Sequence, residues 1–177
     1  VLLAAETVIK RSNAHLLIVG DGSRKQALIE LSASLGIEAR THFIGFVSKK
    51  SELAKIYRSA DVFVTASEIE TQGIVLLEAA ACGLPIAAVN ATCIPEVVHD
   101  GITGYLAQAG NIPALSIAIE KLLARPIEKK RMQIECRTMA EKYRIESSVE
   151  KHEAFYLQSV EYGFERVKRQ ALVPSKN

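Results

Sequence analysis

Tryptophan is absent from the sequence and aspartate nearly so, since only Asp21, Asp61 and Asp100 among its 20 acidic residues are not glutamate. Glutamate is the better helix former, so the imbalance points to a helix-rich chain. Cysteine is scarce and odd in number. Cys82, Cys93 and Cys136 show neither a CxxC nor a zinc-ligand spacing, which argues against a disulfide scaffold and leads us to expect reduced thiols in a cytosolic protein. His15, His42, His99 and His152 also lack ligand spacing, so no metal is expected. Long apolar runs are missing too: nothing approaches the roughly 18 residues of a membrane span. The apolar opening VLLAAETVIKR contains Glu6 and Lys10 and lacks the parts of a signal peptide. Charge of one sign is likewise lacking. A net charge of +2 announces no polyanionic partner, and nucleic acid is not expected.

What is present is 177 residues with 49% hydrophobic side chains, enough for one substantial core. Apolar runs of strand length alternate with helical periods, as in a parallel sheet covered by helices on both faces. Strands are expected at 15–20, 41–45, 61–66, 85–89 and 104–107. Helices are expected at 23–35, with Ser23 as N-cap and Gly36 as stop, and at 49–58, 73–82, 112–124, 127–143 and 145–167. The fold class is therefore α/β, a Rossmann-like doubly wound parallel sheet with a helical C-terminal extension. We divide it into a domain at 1–143, a helix at 144–167 and a flexible tail at 168–177. The chain opens without Met, inside what reads as a helix, as though cut from something longer.

Ligands of such folds bind beyond the carboxyl ends of the strands, which directs attention to four loops. Gly20-Asp21-Gly22 fails as a dinucleotide fingerprint, because Lys25 stands where the third Gly should be. Gly20 and Gly22 serve either a sharp turn or the close approach of a ligand. Phe46 and Val47, after Gly45, offer an apolar wall to a base, the alternative being ordinary core packing of Phe43 and Phe46. The segment SEIETQGIVLLEAAACGLP, residues 67–85, is the most informative. Glu70 lies in a strand-end loop, Gly73 begins a helix, and free amides around Gln72 to Ile74 can hold a diphosphate. Glu78 falls deeper on an otherwise apolar face, where a carboxylate needs donors such as ribose hydroxyls. Spacing alone carries little: Glu30/Glu38, Glu70/Glu78, Glu120/Glu128 and Glu153/Glu161 are all eight apart. Only the second pair joins a strand-end loop to a Gly-started helix. The basic stretch Lys129-Lys130-Arg131, with Arg125, Arg137 and Arg144, reads as a solvated helix face or as an attraction to an anionic membrane.

The run SEIETQGIVLLEAAACGLPIAAVNATCIPEVVHDGITGYL resembles the donor-site signature of the retaining GT-B glycosyltransferases of family 4, and LLIVGDG, FIGFV and LAKIYRSADVFV match it in order. The resemblance, over about residues 1–125, implies the C-terminal half of a GT-B fold. By position it implies that catalytic Glu70 contacts donor-sugar hydroxyls and that Glu78 holds the ribose. Gln72, Gly73, Ile74 and Val75 would meet the diphosphate, Phe46 and Val47 the base, and Gly20 and Gly22 line the donor site. The implied partners are a UDP- or GDP-sugar and a glycan or lipid acceptor, the latter bound through an N-terminal domain that also supplies a catalytic His. Transfer would retain configuration and need no metal and no cofactor, in a cytoplasmic protein that can associate peripherally with the inner face of a membrane.

Two departures qualify the resemblance. The family's Arg and Lys follow a strand that would lie upstream of Val1, so the fragment is expected to bind donor weakly and to transfer nothing alone. Ala91, Thr92 and Cys93 stand where Gly residues are common. The last helix resembles one that crosses back to the N-terminal domain, with Phe155, Tyr156 and Tyr162 facing it. The alternatives are a non-catalytic nucleotide-sugar-binding or interaction domain and, more weakly, a sugar-nucleotide epimerase.

Overall fold

The computed structural model describes the backbone of residues 1–171 and side-chain surroundings through residue 162. The element order is α1 (Leu2–Arg11), β1 (Leu16–Val19), α2 (Lys25–Ser34), a 3-10 turn (Glu38–Arg40), β2 (Thr41–Gly45), α3 (Lys50–Ser59) and β3 (Phe63–Thr65). It continues with α4 (Ile74–Ala81), β4 (Ile86–Asn90), α5 (Ile94–Val97), β5 (Gly104–Gln108), α6 (Ile112–Ala124), α7 (Pro126–Glu141) and α8 (Ile145–Ala171). The chain separates into two compact units, Val1–Ala140 and one beginning at Glu141.

All strand pairs are parallel, as the alternation of strands and helices requires, and the architecture is Rossmann-like. Where one sheet was expected, the described strands form two: β1 with β2, and β3-β4-β5. In the larger sheet β4 is central and Ile86 to Val89 are buried. Strand alternation sends Ile86 and Ala88 to one side, against Leu76 and Ala80 of α4, Ile94 and Val97 of α5, and Cys136 and Met139 of α7. Ala87 faces the other side, against α1 and α6.

Helix α1 serves both sheets. Leu2, Ala5 and Ile9 pack with Ile37 and against Leu16, Ile18, Leu28 and Leu31 around the smaller sheet. Ala4 and Val8 pack with Ala87, Ala107, Leu115 and Ile119 of the larger one. The i, i+3, i+7 and i, i+4 spacings put these sets on adjoining faces, while Lys10 and Glu6 pair at 2.7 Å. The Ser116 hydroxyl donates to the Ala4 carbonyl at 2.9 Å, pinning α6 to α1.

Several boundaries differ from expectation. Ser23 caps nothing: α2 begins at Lys25 after Arg24, because the Gly22 N–H donates to Asp21 Oδ1 at 2.8 Å and the Lys25 N–H to the Gly22 carbonyl at 3.1 Å. That turn takes the Lys25 N–H, one of the amides Ser23 would have capped. The four-residue helix α5 and the 3-10 turn lack the repeat that makes periodicity visible. Residues 168–171, expected in a flexible tail, continue α8; the rest of that tail, 172–177, lies outside the described residues.

A Cβ placed on Gly104 would overlap the backbone carbonyl of Ile86 across the β4–β5 ladder, whereas one on Gly110, at φ +76°, meets open space. Gly104→Ala is therefore expected to cost about 3 kcal/mol, since two backbones must part. Gly110→Ala should cost about 1 to 2 kcal/mol, for the left-handed conformation alone. Urea denaturation of both variants tests this, and equal losses would refute the close approach of β4 and β5.

Candidate functional site

The carboxyl ends of the strands bring the expected loops to one side of the large unit. The Gly20 N–H donates to the Gly45 carbonyl at 2.8 Å, tying the loop after β1 to the end of β2. Beside it Asp21 is held below the usual carboxylate range by the Gly22 amide and then by Lys25, at 3.2 Å. The Gly22 amide is thereby engaged within its own turn. Phe46 is 78% exposed, so core packing does not account for it, while Val47 is half-buried. Gln72 is exposed, as are Ile74 and Val75 at the start of α4, and Ile69 in the preceding loop is 86% exposed.

Glu70 is held at three points. Its Oε1 accepts the Gly73 N–H at 3.1 Å, its own N–H donates to Thr92 Oγ1 at 3.2 Å, and its carbonyl accepts the Cys93 thiol at 3.3 Å. Gly73 sits at φ +65° as the residue preceding α4, and a Cβ there would crowd Leu76, Val97 and Cys93. The Gly73 amide thus carries the Glu70 carboxylate, as a negative group at a helix start is favoured to do. Thr92, at φ +45°, is the only described non-glycine residue at positive φ. Of the three residues at 91–93, Thr92 and Cys93 hold the Glu70 backbone.

Glu78, half-buried in α4, does find a donor, and it is a protein group. The Tyr57 hydroxyl of α3 donates to Glu78 Oε2 at 3.1 Å. Tyr57 is half-buried with its ring tilted against Phe63, centroids 5.9 Å apart. Burial first, and then the charge and hydrogen bond of Glu78, push its phenol far above the ordinary value. Tyr57 lies within the LAKIYRSADVFV stretch, where sequence reasoning assigned it no part in the site. The available clue was that a half-buried phenol seeks a partner.

Among the described residues no ion pair reaches Glu70 or Glu78. The late basic residues are largely engaged: Lys129 with Asp61 at 2.7 Å, Arg125 with Glu128 at 3.1 Å, Arg131 donating to the Gly101 carbonyl at 3.3 Å. Cys136 donates to the Thr103 carbonyl at 3.2 Å, and burial pushes its thiol up to about 12, an inert core group. No described helix is long and apolar enough to cross a membrane.

A family model described as "Glycosyl transferases group 1" matches residues 1–139. The chain is similar to N-acetyl-alpha-D-glucosaminyl L-malate synthase of Bacillus anthracis, 32% identical over 157 residues, which are 88% of this chain and 40% of that protein. It is also similar to D-inositol 3-phosphate glycosyltransferase of Rhodococcus opacus, 32% identical over 172 residues, or 92% of this chain and 38% of that one. The chain thus spans about two fifths of the length of these relatives. Among solved structures, a TarM variant of S. aureus in complex with fondaparinux, alpha-GlcNAc-glycerol and UDP superposes with a TM-score of 0.78 at 26% identity, covering 85% of this chain and 30% of that one.

Two outcomes are expected from the site geometry. Thr92→Ala removes the acceptor of the Glu70 N–H and keeps the left-handed backbone, so it should cost about 1 kcal/mol, whereas Thr92→Gly relieves the backbone and should stay within about 0.5 kcal/mol of the parent. The reverse order in thermal or urea unfolding would contradict the strain. Tyr57 gives a pH dependence with a definite sign. Its folded value is raised above the ordinary 10, so its contribution is complete below pH 10. Above that pH the unfolded chain sheds a proton that the folded chain keeps, and stability falls. Tyr57→Phe should lose less stability between pH 9 and pH 11 than the parent; parallel curves would dismiss the Tyr57–Glu78 bond.

Proposed function

We propose a function from one premise: the chain belongs to the glycosyl transferases group 1 family. In our reading it is the donor-binding, C-terminal half of a GT-B glycosyltransferase that moves a hexose from a nucleotide diphosphate sugar to an acceptor with retention of configuration. The observation that carries this is the pairing of two carboxylates with two uses at one strand end. Glu70 closes on the Gly73 amide at the start of α4, and Glu78 stands in the same helix with one oxygen on Tyr57. An anion arriving at the α4 amides displaces or shares the Glu70 contact, which turns that carboxylate toward the hydroxyls of the sugar. Gly73, Ile74 and Val75 then bear the diphosphate, with Gln72 at its edge, and the exposed ring of Phe46 with Val47 supports the base.

Departure of the diphosphate is the step that needs help, and preorganised amides at a helix start stabilise the charge developing on it. Two carboxylates with no paired cation among the described residues make that help partial. The reading therefore assigns the missing positive charge to an Arg and a Lys of the parent protein, and requires no metal. The UDP bound to the TarM variant supports a nucleoside diphosphate as the moiety recognised; a GDP-sugar remains within the same reading. The names of the two relatives add small hydroxylated anions, inositol 3-phosphate and L-malate, to glycans and lipids as acceptor classes. The exposed Phe155, Tyr156 and Tyr162 of α8 suit a helix that packs on an acceptor-binding domain.

A panel of UDP- and GDP-sugars in a thermal-shift assay on the parent protein tests this reading, because a ligand that binds the folded state raises its apparent stability by mass action. One donor at about one hundred times its Kd should stabilise by roughly 2.7 kcal/mol. Glu78→Ala should remove that stabilisation, and an unchanged shift would count against the ribose role. The isolated 177 residues should transfer no sugar; measurable transfer by them would sink the assignment of essential groups elsewhere.

A further inference from the structure

We propose that Tyr57 is a positioning residue for the donor ribose: its hydroxyl fixes one oxygen of Glu78 so that the other is presented to the ribose hydroxyls. This rests on the reading of Glu78 given above, and adds to it a residue from a different helix. The geometry is specific. Tyr57 Oη donates to Oε2 of Glu78 at 3.1 Å, from α3 to α4. Glu78 Oε1 has no protein partner among the described hydrogen bonds, and no buried side-chain oxygen is left without one, so Oε1 is open to solvent. A half-buried carboxylate is thus divided into one satisfied oxygen and one available oxygen.

The support for the tyrosine is itself rigid. Its ring leans on Phe63 at the start of β3 with centroids 5.9 Å apart, and β3 is registered on the buried strand β4 through Phe63 and Ile86. The phenol therefore takes its position from the sheet, and passes that position to a side chain that would otherwise sample several rotamers. Because burial and the Glu78 charge hold the proton on Tyr57, the group is a permanent donor, and Glu78 must act as an acceptor there. Its free oxygen then accepts from hydroxyls, the groups a ribose offers and a deoxyribose in part lacks.

Preorganisation of one carboxylate alters affinity for the ligand that uses it and for no other. The test compares UDP with 2′,3′-dideoxyuridine diphosphate, titrated into the 177-residue chain and followed by amide NMR shifts, which read millimolar binding. The parent should prefer UDP by about tenfold or more. Tyr57→Phe keeps the ring and removes only the donor, so it should weaken UDP by about three- to tenfold and leave the dideoxy analogue unchanged. A change at the protein scaffold would weaken both ligands alike, and that result would overturn the inference. Glu78→Gln separates the two levels of the argument. If Glu78→Gln loses the preference for UDP while Tyr57→Phe keeps it, Glu78 holds the ribose and Tyr57 does not position it. If the parent shows no preference, or binds neither nucleotide, the ribose role of Glu78 falls and Tyr57 falls with it.

Discussion

The fold depends on a ten-residue helix that is apolar on two adjoining faces. Helix α1 places Leu2, Ala5 and Ile9 into the core of the two-stranded sheet and Ala4 and Val8 into that of the three-stranded sheet. The described strands of the two sheets share no ladder, so side-chain packing supplies the continuity that hydrogen bonds supply within each sheet. Burying a Leu, Ile or Val is worth about 1.5 to 3 kcal/mol, and α1 buries three such residues. The orientation of the loops after β1 and β2 relative to those after β3 and β4 follows from that packing.

Within the candidate site the controlling fact is the way two carboxylates are accommodated without a paired cation among the described residues. Glu70 is stabilised by a helix-start amide and Glu78 by a phenol, both of them neutral donors. Neutral donors satisfy hydrogen bonds and leave the net charge in place. Under the proposed function, a diphosphate at this helix start would meet a local excess of negative charge. The same arrangement keeps the two carboxylates distinct. Glu70 is fixed through its own backbone by Thr92 and Cys93, while Glu78 is fixed through its side chain by Tyr57.

Much of the fold was legible from residue pattern. Thr41–Gly45 and Ile112–Ala124 fall where periodicity puts them, because a strand bounded by Gly and a helix opened by Asn and Pro carry their own stop and start signals. The Asn111 side chain indeed accepts the Ala114 N–H at 3.0 Å. Ser23 misled for the opposite reason. A local residue preference was outcompeted by the Asp21–Gly22 turn two residues earlier. The candidate segment was picked out by the chain order of strand, Glu70, Gly73 and Glu78, since that order is a property of sequence.

Pairings between distant positions lay beyond that order. Tyr57 with Glu78, separated by 21 residues, and Glu70 with Thr92 and Cys93, separated by 22 and 23, arise only when α3, α4 and the end of β4 meet. Side-chain type and local period determined from the sequence alone that this is an α/β protein with a carboxylate-bearing helix start after its third strand. Tertiary packing decided which donor each carboxylate takes and that Gly73 spends its amide on Glu70. It also grouped the strands into two sheets around α1. The physical reason is one of range: hydrophobic period and turn chemistry act over a few residues, whereas a hydrogen-bond partner is chosen by proximity in space.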